Sequence, residues 1–429
     1  MIVAIANIVV LFAVAWMLAK KESVVIRKFF WAGLVVKILA GIALGLLYTY
    51  YYHIGDTFSY FDDACDIAHL VRTSVKAYAD FIWNNTSSFE FWDQLNFNHP
   101  RALFLSKMTS VFCMLTGDNY WVISIYFSFV GFYAAWFLVK VITRFDEHLL
   151  KISLLAFVFF PSVALWSSGL IKESLAMGSL YFIVAIFLKI WLRVRTSIIQ
   201  WVLLPVAFLL LWNLKYYYVA VLLPVLATAL VFHWLIYPRI RFKNYGLECL
   251  VWLVVFLIPL FVASQVHPNF YPERFLDVIV SNYDAFREKS DPDDMIHYHG
   301  LEATATSVVY HAPKALLSGM FRPFLWEGQN VFQFLIALEN AIVLLLFVTS
   351  LSKLRRVFHS PHHLLIFSSI VYIFLLCIFL ALSTPNFGTL ARYRVGFLPF
   401  LILLISAYNP FLYRLKSFLE RTFSTLGRE

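Results

Sequence analysis

Charged residues are scarce in this sequence. Only 14% of its 429 residues are Asp, Glu, Lys or Arg, whereas 61% are hydrophobic, and the mean hydropathy is +0.76. Soluble globular domains carry about 25% charged residues. This composition therefore excludes a soluble globular domain. The alternation of apolar and polar residues that is typical of membrane β-barrel strands is also absent. We therefore expect an all-α, polytopic bundle of transmembrane helices.

Apolar runs long enough to cross a bilayer recur along the chain, since a membrane helix needs roughly 20 apolar residues. About eleven stretches qualify. They cover residues 1–19, 29–51, 119–142, 152–168, 172–191, 198–213, 216–236, 247–265, 331–351, 364–382 and 394–412. Lys20 and Lys21 follow the first run and no basic residue precedes it, the reverse of a cleavable signal peptide. We expect a retained span with its N-terminus outside.

Short-loop lysines and arginines fall on one side of these alternating spans, and such residues resist translocation. Their clusters lie at 20–28, 144–151, 189–195, 239–243, 353–356 and 414–421. That side is expected to be the cytoplasm, and the tail 413–429 lies there. The formal net charge of +9 therefore reflects topology and does not predict binding to nucleic acid. Membrane lipids are the expected surroundings.

Two long segments, 52–118 and 266–330, interrupt the single transmembrane domain predicted for residues 1–429, and a short one follows at 383–393. The alternation of spans puts all three outside. They are too rich in aromatic residues for disorder. In the first, residues 63–83 show apolar side chains at three-to-four spacing, which predicts an amphipathic helix lying on the membrane interface.

Cysteine is rare, with four residues in all. Cys249 and Cys377 fall inside apolar runs, where a thiol packs like a small apolar side chain. Cys65 and Cys113 fall in the first outer segment. Their spacing matches no known disulfide framework, so the sequence leaves their pairing open. No Cys and His pattern has the spacing of a zinc site.

Four aspartates fall within eleven positions after the second run, from residue 56 to residue 66. A helix beginning near Thr57 brings Asp56, Tyr60 and Asp63 onto one face, with Asp62 adjacent. Converging carboxylates raise one another's pKa or bind a divalent cation, and either condition suits a general base acting on a hydroxyl. Asp56, Asp62 and Asp63 are therefore candidate catalytic residues, and Tyr60 is a candidate substrate contact. Asp56 and Asp63 are candidate ligands of Mg²⁺ or Mn²⁺. Alternatively, Asp56 caps the helix.

Polar residues also collect at the outer ends of other predicted spans. We take ten of them as candidate substrate-binding residues: His99, Arg101, Lys172, Glu173, Arg322, Trp326, Glu327, Arg392, Tyr393 and Arg394. Lys172 and Glu173 open a span, where charges form either an ion pair or a phosphate contact. Two guanidinium groups at the last span, those of Arg392 and Arg394, could each form bidentate hydrogen bonds with a phosphate. The plainer alternatives are lipid headgroup contacts and interfacial snorkelling.

Four short motifs together resemble one enzyme family. They are "GDTFSY" at 55–60, "FPSVALWSSGLIKES" at 160–174, "FRPFLWE" at 321–327 and "RYRVGFLPFL" at 392–401. From about residue 51 to residue 408, the chain is similar to the polyprenyl-phosphate-sugar-dependent glycosyltransferases with the GT-C membrane fold. That group includes the protein-mannosyltransferase-like enzymes of glycosyltransferase family 39. The resemblance implies an active site on the extracytoplasmic side of a bacterial inner membrane.

By this resemblance, Asp56 takes a proton from an acceptor hydroxyl, which attacks the sugar C1 of a lipid-phosphate donor with inversion. The departing phosphate is a stable anion, so the transition state needs positive charge beside it. The resemblance assigns that role to Lys172, Arg322, Arg392 and Arg394, with His99 and Arg101 behind them. An extra N-terminal span, and Asp62–Asp63 in place of an adjacent Asp-Glu pair, depart from the family pattern. These departures leave the base and the use of metal open.

Three other functions fit parts of the pattern. An O-antigen or exopolysaccharide polymerase or ligase would use outer arginines to hold an undecaprenyl-pyrophosphate glycan and needs no base carboxylate. A transporter or lipid flippase would show broken helices and buried charges within its spans. A scaffold for envelope assembly would have no catalytic group. The glycosyltransferase hypothesis instead predicts a polyprenyl-phosphate sugar donor and a glycan, lipid or protein acceptor.

Overall fold

The computed structural model of the chain describes residues 1–52, 55–84, 92, 95–97, 99–266, 268–353 and 359–415. The chain divides into two compact units, Met1–Tyr217 and Tyr218–Glu429, here called unit 1 and unit 2. Within the described residues the regular structure is helical, apart from an isolated antiparallel bridge between Met295 and Asn386. The predicted all-α class is therefore confirmed.

Unit 1 is built from nine helices and the start of a tenth among its described residues. They are α1 Ile2–Ala19, α2 Val24–Leu47, α3 Asp56–Thr73, α4 Val75–Asn84, α5 Pro100–Thr116, α6 Tyr120–Ile142, α7 Leu149–Leu154, α8 Pro161–Trp166, α9 Lys172–Trp191 and α10 Ile198–Val231. Short π-helical turns extend α2 over Tyr48–Tyr52 and α7 over Leu155–Phe159. The tenth helix ends in unit 2.

Glycines let α6 and α9 approach each other closely. A Cβ added at Gly178 would lie 3.6 Å from the Gly131 Cα atom, and one added at Gly131 would lie 2.9 Å from the Ser167 carbonyl oxygen. Apolar surface gives little drive for association between helices in lipid, so close van der Waals packing of small residues takes its place. Helix α9 is deeply buried, with 83% of its most apolar 18-residue stretch enclosed by protein.

The turn between α8 and α9 is enclosed by side chains of unit 1. Lys37, buried in the middle of α2, donates hydrogen bonds to the carbonyl oxygen (3.0 Å) and the hydroxyl of Ser167. Gly169 has φ +73° and donates its N–H to Ser128 Oγ at 2.9 Å. Only glycine adopts this backbone conformation without strain. The start of α9 is thereby fixed.

Helices α3, α4 and α5 form a small packed layer around Ile67, Phe81, Leu95 and Leu103. The single helix predicted over residues 63–83 is wrong, because the chain breaks at Ser74 (φ −161°, ψ 120°). Ser74 Oγ accepts a hydrogen bond from the Ala77 N–H at 3.2 Å, which starts α4. Serine side chains compete with helical backbone bonds in this way, and apolar spacing alone does not reveal it.

Unit 2 contains the end of α10 and seven further helices among its described residues. They are α11 Tyr245–Val266, α12 Pro272–Lys289, α13 Ala305–Phe321, α14 Val331–Leu351, α15 His363–Ser383, α16 Phe387–Tyr393 and α17 Leu398–Ser406. A 3₁₀ turn, Arg394–Gly396, connects the last two, which are bent by 68° relative to each other. The predicted outer segment 383–393 is thus largely helical.

Eight described helices are long and apolar enough to cross a membrane, and the bent pair α16 and α17 makes a ninth candidate. The polytopic membrane class is therefore confirmed. Two predicted spans, 198–213 and 216–236, belong to one helical run, and the predicted span 152–168 is divided at Pro161. The count of about eleven spans and their orientation stay predictions. The basic clusters at 354–356 and 416–421, and most of the predicted tail, lie outside the described residues.

Candidate functional site

The candidate site in unit 1 is built around the start of α3, which begins at Asp56. Thr57, the next residue, is buried and donates its hydroxyl to the Leu170 carbonyl oxygen at 2.7 Å. Its oxygen also lies 2.8 Å from the Tyr120 hydroxyl. Asp56 itself is partly exposed. These bonds fasten the first turn of α3 against the turn that precedes α9.

Tyr60 continues this contact one helical turn later. The Lys172 Nζ atom lies 5.0 Å from the centre of the Tyr60 ring, a cation–π distance. Phe97 packs against the same ring, with the two ring centres 4.7 Å apart. The structure therefore brings together Tyr60 and Lys172, two of the predicted substrate-binding residues, on the side of α3 that bears Asp56.

The two adjacent aspartates of α3 have different surroundings. Asp63 is fully buried, and its oxygens accept hydrogen bonds from the Asn96 N–H (2.8 Å), the Asn96 side-chain amide (2.9 Å) and the Phe97 N–H (3.1 Å). Burial raises the pKa of the Asp63 carboxyl, and these hydrogen bonds partly oppose the rise. Asp62 is exposed, and partial desolvation followed by the charge of Asp66 raises its pKa.

These contacts indicate that Asp63 holds the segment around residue 96 against α3. Asp56 and Asp62 are more accessible than Asp63, so they offer the better access for a hydroxyl substrate. A metal site on Asp56 and Asp63 stays a prediction. Among the described residues, three other ligands, Cys65, Cys113 and Asp118, have ligand atoms within 4.8 Å of one another.

Glu173 is the second residue of α9 and forms a buried ion pair. Its carboxylate lies 2.7 Å from the Nζ atom of Lys215 in α10. Lys215 has non-helical dihedral angles, φ −147° and ψ 63°, inside this long helix. Glu173 therefore forms an ion pair, as one of the two interpretations predicted, and the partner that the structure shows is Lys215. Sequence analysis missed Lys215, although a lysine inside an apolar run is the signal for such a role.

Aromatic residues beside this break extend the site towards α5. The Lys215 Nζ atom lies 5.8 Å from the Tyr217 ring centre, and the Arg101 guanidinium lies 5.2 Å from the Tyr216 ring centre. Arg101 is exposed at the start of α5, next to the exposed N-cap residue His99, whose side chain makes no capping bond. Arg101 thus presents an accessible cation at the same end of unit 1.

The predicted residues of unit 2 form two groups, which are connected through the side chain of Asn340. In one, Arg322 binds Glu327 through its Nε atom (2.9 and 3.0 Å) and its Nη2 atom (2.5 Å). Glu327 also accepts the Phe324 N–H at 2.8 Å. Trp326 is 81% exposed and stacks on Phe324, with ring centres 4.9 Å apart. Arg322 therefore has its charge matched within its own loop.

The other group lies where α16 ends. Arg394 is buried in the 3₁₀ turn and donates to the Asn340 side-chain oxygen at 2.5 Å. The Tyr393 carbonyl oxygen accepts the Tyr218 hydroxyl at 2.6 Å, and Arg392 is partly exposed. Snorkelling to the interface does not describe Arg394, because its side chain is enclosed by protein. A common cavity for Asp56 and Arg392 stays a prediction, since they belong to different units.

Comparison of the whole chain with protein-family models, with curated proteins and with solved structures finds no match.

Proposed function

We propose that the chain is an integral membrane glycosyltransferase. It moves a sugar from a polyprenyl-phosphate donor to an acceptor hydroxyl, at the extracytoplasmic face of a bacterial inner membrane. The observation that carries this proposal is the junction of α3 and α9 in unit 1. There an accessible carboxylate, Asp56, begins one helix while the basic Lys172 begins the other, and Thr57 and Tyr60 hold the two helix ends together.

In the proposed reaction, Asp56 accepts the proton of the acceptor hydroxyl. The acceptor oxygen forms a bond to the sugar C1 atom as the bond from C1 to the phosphate oxygen breaks, so the configuration at C1 inverts. The polyprenyl phosphate leaves with the bonding electron pair. Because it is a stable anion, it requires no general acid, and nearby cations stabilise its developing charge.

Lys172 and Arg101 are the proposed phosphate contacts within unit 1. Lys172 lies at the N-terminal end of α9, where the helix dipole also favours an anion. Arg101 is accessible and lies against Tyr216. We assign Arg322 and Glu327 a structural role, because they bind each other in a bidentate ion pair. Arg392 and Arg394 remain proposed donor contacts from unit 2.

The decisive experiment incubates purified protein with radiolabelled polyprenyl-phosphate sugars and a panel of hydroxyl acceptors. We expect Asp56→Asn to lower turnover by about 100-fold or more, the usual scale for loss of a general base. Asp66→Asn, at an exposed aspartate of the same helix, is the matched control. A folded Asp56→Asn protein with wild-type turnover would refute the assigned base. Elongation of a pyrophosphate-linked glycan by that variant would instead indicate the polymerase.

A second candidate function, a transporter or lipid flippase, is supported by the two helix breaks with buried cations. Lys215 breaks α10 in unit 1, and Arg394 lies at the bend between α16 and α17 in unit 2. Discontinuous membrane helices line the substrate sites of many transporters. Movement of a fluorescent polyprenyl-phosphate lipid across proteoliposomes without any sugar transfer would favour this candidate.

A further inference from the structure

We propose that Cys65 and Cys113 form a disulfide bond that fastens α3 to α5. The two cysteines are 48 positions apart in sequence, and the structure has them as thiols with the Cys65 sulfur 3.2 Å from the Cys113 sulfur. Cys113 is buried and Cys65 is partly buried. This proposal does not depend on the proposed enzymatic function.

The surroundings of the two sulfurs favour their pairing. Both sit on packed helices, α3 and α5, so the backbone that carries them is held in place. A disulfide has its sulfurs about 2.05 Å apart, so bond formation requires an approach of only about 1 Å. Both cysteines belong to the segment that the distribution of basic residues predicts to be extracytoplasmic, where disulfides persist.

The alternative to a disulfide is a metal ion bound by the two sulfurs, because the Asp118 carboxylate lies close to both of them. That carboxylate is already engaged: it is 3.1 Å from His69 Nε2 and 3.6 Å from the Arg72 guanidinium. The positive charge of the Arg72 guanidinium beside Asp118 would repel a metal cation bound there. The sulfur separation of 3.2 Å lies between the roughly 2.05 Å of a disulfide and the roughly 3.8 Å between two thiolates on tetrahedral zinc, so the contacts of the carboxylate decide the assignment. The disulfide is therefore the better assignment.

Oxidation of the pair requires an acceptor for two electrons. We assign this role to the disulfide of a thiol-disulfide oxidoreductase in the extracytoplasmic compartment. A thiolate of the pair attacks that disulfide and forms a mixed disulfide, and the second cysteine then displaces the enzyme. The S–S bond between Cys65 and Cys113 forms as the S–S bond of the oxidoreductase breaks, and the two protons lost by the cysteines are taken up by its sulfurs, so the oxidoreductase ends as a dithiol. The bond then closes the stretch from α3 to α5 into a covalent loop.

Mass spectrometry of the full chain tests this proposal. Protein is purified from membranes with an alkylating reagent present throughout, and it is digested with and without prior reduction. We expect a peptide pair linked through Cys65 and Cys113, lighter than the sum of the two free peptides by two hydrogen atoms. Cys249 and Cys377 serve as internal controls and should carry the alkyl group after unfolding without reduction.

Two further readouts make the outcome decisive. Reductant should lower the thermal unfolding midpoint of the wild type and of Cys249→Ser, but leave that of the Cys65→Ser/Cys113→Ser protein unchanged. Alkylation of both Cys65 and Cys113 without reduction would overturn the proposal. So would zinc that co-purifies in equimolar amount and is lost in the double variant, because that result assigns the two sulfurs to a metal.

Discussion

The Nζ atom of Lys215 lies 2.7 Å from a carboxylate oxygen of Glu173, and the two side chains are only 4% and 0% exposed. This pair joins the start of α9 to the break in α10. A buried charge without its partner is costly, so each residue explains the presence of the other inside an apolar protein. The pair therefore stabilises the non-helical backbone at Lys215 beside the candidate site.

Removal of either partner alone should destabilise unit 1. We expect Glu173→Gln and Lys215→Met each to lower the free energy of unfolding by roughly 3–5 kcal/mol, because each removes an oppositely charged partner from a buried charge. The double variant should cost less than the sum of the two. Denaturant titrations in detergent micelles measure this. Lys140→Met is the control, because Lys140 pairs with Glu22 but is 44% exposed, and it should cost under about 1 kcal/mol. Additive losses from the two buried residues would contradict the pairing.

Asp63 should prove structural. Asp63→Ala leaves the N–H groups of Asn96 and Phe97 without their acceptor, and we expect a cost of roughly 1–3 kcal/mol. Hydrogen exchange should show faster exchange at those two amides. Asp66→Ala, which removes an exposed carboxylate from the same helix, should leave them unchanged. Equal protection in Asp63→Ala and wild type would show that the carboxylate does not hold this segment.

Lys107 should make stability depend on pH in the alkaline range. It is buried, with its Nζ atom bonded to the carbonyl oxygens of Phe81 and Ile82, and burial lowers the pKa of its ammonium group to about 8. In the unfolded chain that pKa is roughly 10.4. Between these values the unfolded state binds more protons, so the free energy of unfolding rises with pH.

The measurement for Lys107 is the unfolding midpoint at several pH values, taken from about 8 to about 10. The wild type should gain stability over this range relative to Lys107→Met, which lacks the titrating group. Lys76→Met, at an exposed lysine of α4, should follow the wild type. Parallel curves for wild type and Lys107→Met would exclude the shifted pKa.

Gly169 should tolerate no side chain. Its φ of +73° disfavours an L-residue, and a Cβ there would lie 2.8 Å from the Leu44 side chain and 3.3 Å from the Gly41 carbonyl oxygen. We expect Gly169→Ala to cost about 1 kcal/mol for the backbone and a further 1–3 kcal/mol or so for overpacking. Gly300, with φ +71° and nothing within 4 Å of an added Cβ, separates the two effects. Thermal unfolding should show a larger loss for Gly169→Ala than for Gly300→Ala, and equal losses would exclude the crowding.

Local patterns predicted several parts of the site correctly. A helix beginning near Thr57 was expected, and α3 begins at Asp56 with Tyr60 and Asp63 buried on one side. Helical periodicity alone did not show that Asp63 is structural while Asp56 and Asp62 are accessible. The hydrogen bonds that Asp63 accepts come from residues 33 and 34 positions away in the sequence. The break at Ser74 was missed for a related reason, since one capping bond outweighed the apolar spacing.

The sequence by itself determined that this is an all-α membrane protein, because transfer of apolar segments out of water depends on each segment's own composition. It also marked Asp56, Tyr60, Lys172 and Glu173 as unusual in such surroundings. Only the tertiary structure decided that Lys215 pairs with Glu173 and that the Cys65 and Cys113 sulfurs meet. Those contacts join residues more than 40 positions apart. They depend on how helices pack, and hydropathy carries no information about that.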